Sequence, residues 1–154
     1  VSLGNATQPF PRLLAAVAQC HALLPRPLLV QHGATAPAGL SGLLDTNLQA
    51  FLPMAAFEAQ VAAASLLILH AGAGSVLHAV RAGKTPILMP RRQHLHEHVD
   101  DHQLEFARTL AASGHVILAE TADDLPPAIA RALAALPSAR VTMPLAARVS
   151  SSVA

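Results

Sequence analysis

Short apolar runs alternate along the chain with longer segments of helical spacing. Val1 to Leu3 is apolar and stops at Gly4-Asn5. Arg12 to Leu24 has helical composition, entered through Pro9 and Pro11 and closed by Pro25 and Pro27. Leu28 to Gln31 reads as a buried strand, Thr35 to Leu44 as a loop, and Leu48 to Leu52 as a weaker strand. Met54 to Ala64 predicts a helix, and the four apolar residues Leu66 to Leu69 predict a core strand. A glycine loop from His70 to Ser75 leads into a helix over Ser75 to Ala82, closed by Gly83. Ile87 to Met89 is a strand ended by Pro90, and Arg91 to Asp101 is polar. A helix over roughly His98 to Ala112 stops at Gly114, followed by a strand over His115 to Ala119. The last helix runs from Ala122 to Leu136, with Pro126 and Pro127 in its first turn, where proline is tolerated.

Strands and helices in alternation predict an α/β fold: a Rossmann-like parallel sheet of about six strands with helices on both faces. Crossovers in such sheets are right-handed. Ligands bind at the carboxyl ends of the strands, so the loops after Leu3, Gln31, Leu69 and Met89 are where chemistry is expected. Residues 1–136 form the expected domain, and residues 137–154, with Ser150 to Ser152, read as a flexible tail. The chain opens at Val1 inside a strand pattern, so a few residues are expected upstream of it.

Composition narrows the function. Charged residues are only 12% against 53% apolar, the reverse of a disordered chain. A net charge of +1 and the absence of Trp and Tyr leave neither the basic footprint nor the stacking platforms of a nucleic-acid binder. The single cysteine, Cys20, excludes an internal disulfide and a cysteine-rich zinc module, and it reads as a buried small hydrophobe. The longest uncharged stretch, Ala59 to Val80, is interrupted by Gln60, His70, His78 and glycines. It falls short of the ~20 mostly apolar residues of a spanning helix. No signal peptide pattern opens the chain, and it reads as cytoplasmic.

Two motifs carry chemistry. In His70-Ala71-Gly72-Ala73-Gly74-Ser75, glycines after a buried strand open a helix whose free N–H groups and dipole favour phosphate. Leu77 stands where a dinucleotide fingerprint needs its third Gly or Ala. The alternative is a tight strand-to-helix turn with Ser75 as the N-cap. His70, at the end of a strand, is placed to donate to a phosphate. The second motif, Arg91 to Gln103, holds four of the nine histidines. It reads as a polar ligand clamp, a solvated loop, or a metal site with His98 and His102 one helical turn apart. H-E-x-x-H is absent.

These residues resemble the C-terminal, donor-binding half of GT-B glycosyltransferases of family 28. The likeness rests on Phe57-Glu58, on Leu69 through Ser75, on Gly83-Lys84, on Pro90-Arg91-Arg92 and on His96 through Gln103. It extends more weakly to Val1-Ser2-Leu3-Gly4 and Gln31-His32-Gly33, so it covers about residues 1–120. It is nearest to single-domain members, such as catalytic subunits of split N-acetylglucosaminyltransferases and of bacterial two-component exopolysaccharide glycosyltransferases.

The resemblance implies an inverting hexosyltransferase using a UDP-sugar, with no other cofactor and no metal. It implies that His70, Gly72, Gly74 and Ser75 hold the donor diphosphate and that Gln103, with His102, holds the donor sugar. His70 and Gln103 are thus the expected catalytic residues. Gln31, Gly33 and His78 are expected near the nucleoside, and Arg91 and Arg92 toward a partner or the acceptor. Many relatives carry an acid where this chain has His78. The other GT-B half is expected from a membrane-anchored partner subunit that binds a lipid-linked sugar acceptor and recruits this chain to the inner face of the membrane. Two alternatives stand beside this reading: a non-catalytic nucleotide-sugar-binding or scaffold subunit, and a His-rich metal-binding protein.

Overall fold

The computed structural model describes residues 1–136; the expected tail, residues 137–154, lies outside the described residues. Among the described residues there are five strands: β1 (Leu28–Gln31), β2 (Thr46–Gln49), β3 (Ile68–His70), β4 (Ile87–Met89) and β5 (Ile117–Leu118). Five α-helices accompany them: α1 (Pro11–Gln19), α2 (Met54–Ala63), α3 (Ala73–Arg81), α4 (His102–Ala112) and α5 (Leu125–Ala134). All strand pairs are parallel, β1 with β2 and β3 with β4 with β5.

The expected sixth strand is reduced to a seam. Val1–Leu3 lies between the two blocks, and Ser2 bridges Gln31 on one side and Leu69 on the other. Its backbone bonds run both ways: Ser2 N–H donates to the Ile68 carbonyl at 2.9 Å, and Leu3 N–H to the Gln31 carbonyl at 2.9 Å. Gly4 follows at φ +73°, which ends the extended run before a ladder can form. The spatial order is β2, β1, seam, β3, β4, β5. Numbered from the seam in chain order this is 3-2-1-4-5-6, the doubly wound order in which ligands sit where the chain reverses direction across the sheet. That switch point lies between the loop after Leu3 and the loop after His70.

The central strands β1, β3 and β4 are buried on both faces, as a helix-covered parallel sheet requires. Leu28, Val30, Ile68, Ile87 and Met89 face α1 and α5, in one core with Leu3, Phe10, Leu13, Val17 and Ile129. Leu67, Leu69, Leu88 and Val116 face the other way, toward Val61, Val76, Ala79 and Ala107 of α2, α3 and α4. The weaker strand falls earlier than Leu48–Leu52. Its register is set by β1, pairing Leu28 with Thr46 and Gln31 with Gln49. As an edge strand it needs no apolar run, and Phe51 is left exposed. The expected first helix ends at Gln19, and a 3-10 turn covers His21–Leu23.

A buried polar web ties the segment after the seam to the loop after β4. Arg91 is 1% exposed. Its guanidinium donates to the carbonyls of Leu3, Gln8 and Glu97 at 2.8, 2.8 and 2.9 Å. Glu97, 3% exposed, accepts from Arg12 through both carboxylate oxygens at 2.9 and 2.8 Å. It also accepts from the Arg92 N–H at 2.9 Å. Arg12 and Arg91 both lie against the buried Phe10 ring, 5.2 and 4.8 Å from its centroid.

Removing one partner of such a pair strands a buried charge, which costs about 3–5 kcal/mol. Glu97→Ala is therefore expected to lower unfolding stability by about 3 kcal/mol, read from urea denaturation. A loss below about 1 kcal/mol would show that the web is not holding the loop.

Candidate functional site

At the switch point a cleft of about 280 Å³ opens between the loop after the seam and the start of α3. Gly4 and Asn5 line one lip, His70, Gly72, Gly74 and Ser75 the other. Gln31 lies between them, and His78, Phe57, Met54 and Leu52 close one end. A separate hollow of about 290 Å³ lies between Pro25–Leu29 and α2. It is mostly apolar, with Arg26 the one charged side chain on its walls, and it shares Gln31, Leu52 and Phe57 with the first cleft.

His70 is the centre of the cleft. It ends β3, and its backbone N–H donates to the Ser2 carbonyl at 3.0 Å. Its ring lies between two glycines: a Cβ at Gly4 or at Gly72 would overlap the imidazole. Those glycines are needed for close approach, one on each side. The side chain is nearly enclosed, with the residue 8% exposed, and Nδ1 is buried without a hydrogen-bond partner. Burial pushes the pKa down to about 4, and the Arg91 guanidinium adds to this. The Gln103 side chain beside it pulls the other way, and His98 lowers it slightly. The imidazole is therefore neutral at pH 7.

The helix beyond begins earlier than Ser75. Gly72 is the N-cap, so Ala73, Gly74 and Ser75 form the first turn, and Ser75 is not the cap. Val76 is the first residue to return a helical bond, to the Gly72 carbonyl at 3.1 Å. The N–H groups of the first turn are left for water or a ligand. Nothing lies within 4 Å of where a Gly74 Cβ would stand. No neighbour in the fold requires glycine there, although alanine would favour the helix.

Comparison with known families gives this geometry a relative. The glycosyltransferase family 28 C-terminal domain matches residues 4–148. The chain belongs to this family. It is 35% identical over 66 residues to the UDP-N-acetylglucosamine transferase subunit ALG13 of Yarrowia lipolytica (strain CLIB 122 / E 150), a stretch covering 43% of this chain and 32% of that protein. The fold is similar to the glycotransferase of kitacinnamycin, with TM-score 0.64 and 21% identity over 86% of this chain and 33% of the other. It is also similar to CalG4, the calicheamicin glycosyltransferase, with TM-score 0.63 and 24% identity over 84% of this chain and 33% of the other. The chain thus spans about a third of the length of each relative. Its sheet is one Rossmann-like half of the GT-B type.

The family 28 domain brings together six of the residues singled out from sequence: His70, Gly72, Gly74, Ser75, His78 and Gln31. Gln103 stands behind His70, its Oε1 accepting from the Arg91 N–H at 3.2 Å. His102 is 82% exposed, its Nδ1 2.8 Å from Asp100. Gly33 is not in the cleft wall; a Cβ there would come within 2.8 Å of the Gly4 carbonyl, so it serves a backbone crossing. Arg91 faces inward and not toward a partner: its Nη1 and Nη2 donate to three backbone carbonyls, and its Nε is buried without a hydrogen-bond partner. Arg92 pairs with Glu120 at 2.9 Å.

The histidine clamp also differs from expectation. α4 starts at His102, so His98 precedes it and the two do not share a helical face. Both instead reach Asp100, at 3.0 and 2.8 Å. The His102 N–H is the main reason the Asp100 carboxyl titrates below its usual range. Among the described residues, no three His, Cys, Asp or Glu side chains converge as a metal set. No helix among them is long and apolar enough to cross a membrane. Gly4 and Asn5 were not among the expected site residues, although the loop after Leu3 was expected to carry chemistry and Gly-Asn opens it.

His70 titrates near 4 when folded and near its ordinary 6.5 when unfolded. Between these values only the unfolded chain takes up the proton. The contribution of His70 to stability is therefore intact above about pH 6.5 and falls away as pH drops toward about 4. Histidine ring signals followed by NMR should show His70 unprotonated at pH 5.5. A His70 midpoint above 6 would contradict the enclosed geometry.

Proposed function

We propose that this domain is the donor-binding unit of an inverting hexosyltransferase that takes a UDP-sugar. The carrying observation is an enclosed, neutral imidazole set beside a helix start with open space over Gly74. The relative's name supports the nucleotide and the mode of assembly: it is a UDP-N-acetylglucosamine transferase subunit. The acceptor site then belongs to a separate, membrane-anchored partner chain that binds a lipid-linked sugar, and this chain is recruited to the inner membrane face. The product is a polysaccharide or lipid-linked oligosaccharide.

In the reaction, the acceptor hydroxyl attacks the anomeric carbon and its proton passes to a base supplied by the partner. The bond from that carbon to the phosphate oxygen breaks, and UDP leaves with the electron pair. The task on this side is to stabilise the charge developing on the diphosphate. The first-turn N–H groups of α3 suit that task. Of the two His70 ring nitrogens, Nδ1 is enclosed with no acceptor, so the proton belongs on Nε2. A neutral Nε2–H donates to a phosphate oxygen without a permanent positive charge, and the arriving anion draws the His70 pKa back up. Gln103 has its oxygen held by the Arg91 N–H, which leaves its NH2 for a sugar hydroxyl. No cofactor besides the UDP-sugar enters this reading.

At the nucleoside end, His78 contacts the edge of Phe57 and lies 3.3 Å from Glu58. Glu58 thereby brings a carboxylate to the corner where relatives carry an acid on α3 itself. This favours a working donor site over a non-catalytic scaffold.

Titrating UDP into the isotope-labelled chain is expected to shift the amide signals of residues 70–75 and 103. No response there would overturn the proposal. Gly74→Ala is expected to raise the melting temperature slightly, since alanine favours the helix, while weakening UDP by about tenfold through loss of close approach. Transfer at full rate by this chain without any partner would refute the two-chain arrangement.

A further inference from the structure

We propose that the free edge of β2 is a self-association surface, through which two copies of this chain pair their β2 strands antiparallel about a twofold axis and join their sheets into one. The inference goes beyond the donor reading of the cleft and does not depend on it.

β2 is the last strand on its side of the sheet. The Asp45 carbonyl accepts from the Leu28 N–H at 2.8 Å, and the Gln49 carbonyl from the His32 N–H at 2.9 Å. Alternate residues of a strand turn their backbone groups to the same side, so Asp45, Asn47 and Gln49 face β1. Thr46 and Leu48 therefore turn their N–H and C=O groups outward, and nothing among the described residues bonds to them. Natural sheets shield such an edge with charge or proline. Here no charged residue lies between Asp45 and Glu58, and the first proline is Pro53. Apolar side chains stand at both ends instead. Leu44 is 84% exposed, more than any other large hydrophobic among the described residues, and Phe51 is 56% exposed.

The occupant follows from the edge itself. A strand laid along it must be uncharged over the ladder and apolar at both ends, and a second copy of this strand is both. In an antiparallel pair, residues whose groups turn outward exchange bonds with one another. Thr46 then pairs with Leu48 of the second copy, and Leu48 with its Thr46, about four backbone bonds in all. Asn47 falls on the axis and faces Asn47 of the second copy at the closer spacing of about 4.5 Å between Cα atoms. The Leu44 end of each strand meets the Ala50–Phe51 end of the other, which gives both exposed side chains an apolar neighbour. The two Asp45 residues fall four positions apart along the paired strands, more than about 13 Å. That exceeds the Debye length of about 8 Å at physiological salt, so self-pairing meets no like-charge penalty. A contact of this kind uses up the edge, and the assembly closes at two copies.

Sedimentation equilibrium on the whole chain tests this. So short a ladder gives a weak contact, and the mass is expected to rise from one chain to two with a midpoint near about 100 μM. Asn47 is exposed, so Asn47→Lys is expected to leave the melting temperature unchanged. It is expected to weaken association about tenfold, because like charges then lie directly opposite. Asn47→Asp should behave the same, and an equal mixture of the two variants should associate more tightly than either alone. Oxidised Asn47→Cys is expected to form a covalent dimer, since its Cα atoms fall within disulfide reach. Oxidised Gln49→Cys should stay single, its Cα atoms being more than about 13 Å apart. Cys20 is buried and does not compete. A mass of one chain up to about 1 mM would overturn the inference. Dimers that persist unchanged in Asn47→Lys, or that cross-link as readily from Gln49→Cys, would overturn it too, since another surface would then be in contact. Either failure leaves the UDP-sugar reading of the cleft standing.

Discussion

Two arginines around one phenylalanine hold the active end of this sheet together. Loops carry function because they are free of the core's demands, yet a ligand site needs them fixed to a fraction of an ångström. Here the fixing is done by charge buried in the fold. Arg91, from the loop after β4, reaches back to the carbonyls of Leu3 and Gln8 across the sheet edge. Arg12 answers in the other direction, reaching Glu97 on the loop after β4. Both guanidinium groups lie against the Phe10 ring. Because Gly4 lies just beyond Leu3, the same clasp sets the glycine against which His70 is packed.

The periodicity of the sequence carried the sheet well and its edges poorly. β1 and β4 were legible to the residue, because a strand buried on both faces must be continuously apolar and cannot extend past Gly or Pro. β2 was misplaced because an edge strand takes its position from its neighbour's hydrogen bonds, which Thr46-Asn47-Leu48-Gln49 does not advertise. The start of α4 was read several residues early because His98 to Asp101 looks like helix in composition. Its polar side chains instead bond back onto the loop, with Asp101 accepting from the Gln93 N–H.

The candidate site was legible wherever a loop follows a core strand. The glycine loop announced itself, and so did His70 at the strand's end. What the sequence could not reveal was which polar groups turn inward. Arg91 and Arg92 look alike side by side, yet one is enclosed and the other reaches Glu120 near the surface. Gly33 and Gly74 are likewise indistinguishable as letters. One clears a path for a neighbouring carbonyl, and the other has open space above it. Such distinctions depend on residues dozens of positions away, and no local window contains them.

The seam has one more consequence. Ser2 is the residue that joins the two blocks of the sheet through its backbone, and its hydroxyl donates to Gln31, whose amide in turn donates to Asn5 on the cleft lip. Scaffold and site therefore share a part. In most enzymes of layered architecture the sheet can drift in sequence while the loops above it are held to function. Here that separation fails at the centre of the sheet, where a change made for packing is at once a change in the polar groups the cleft presents.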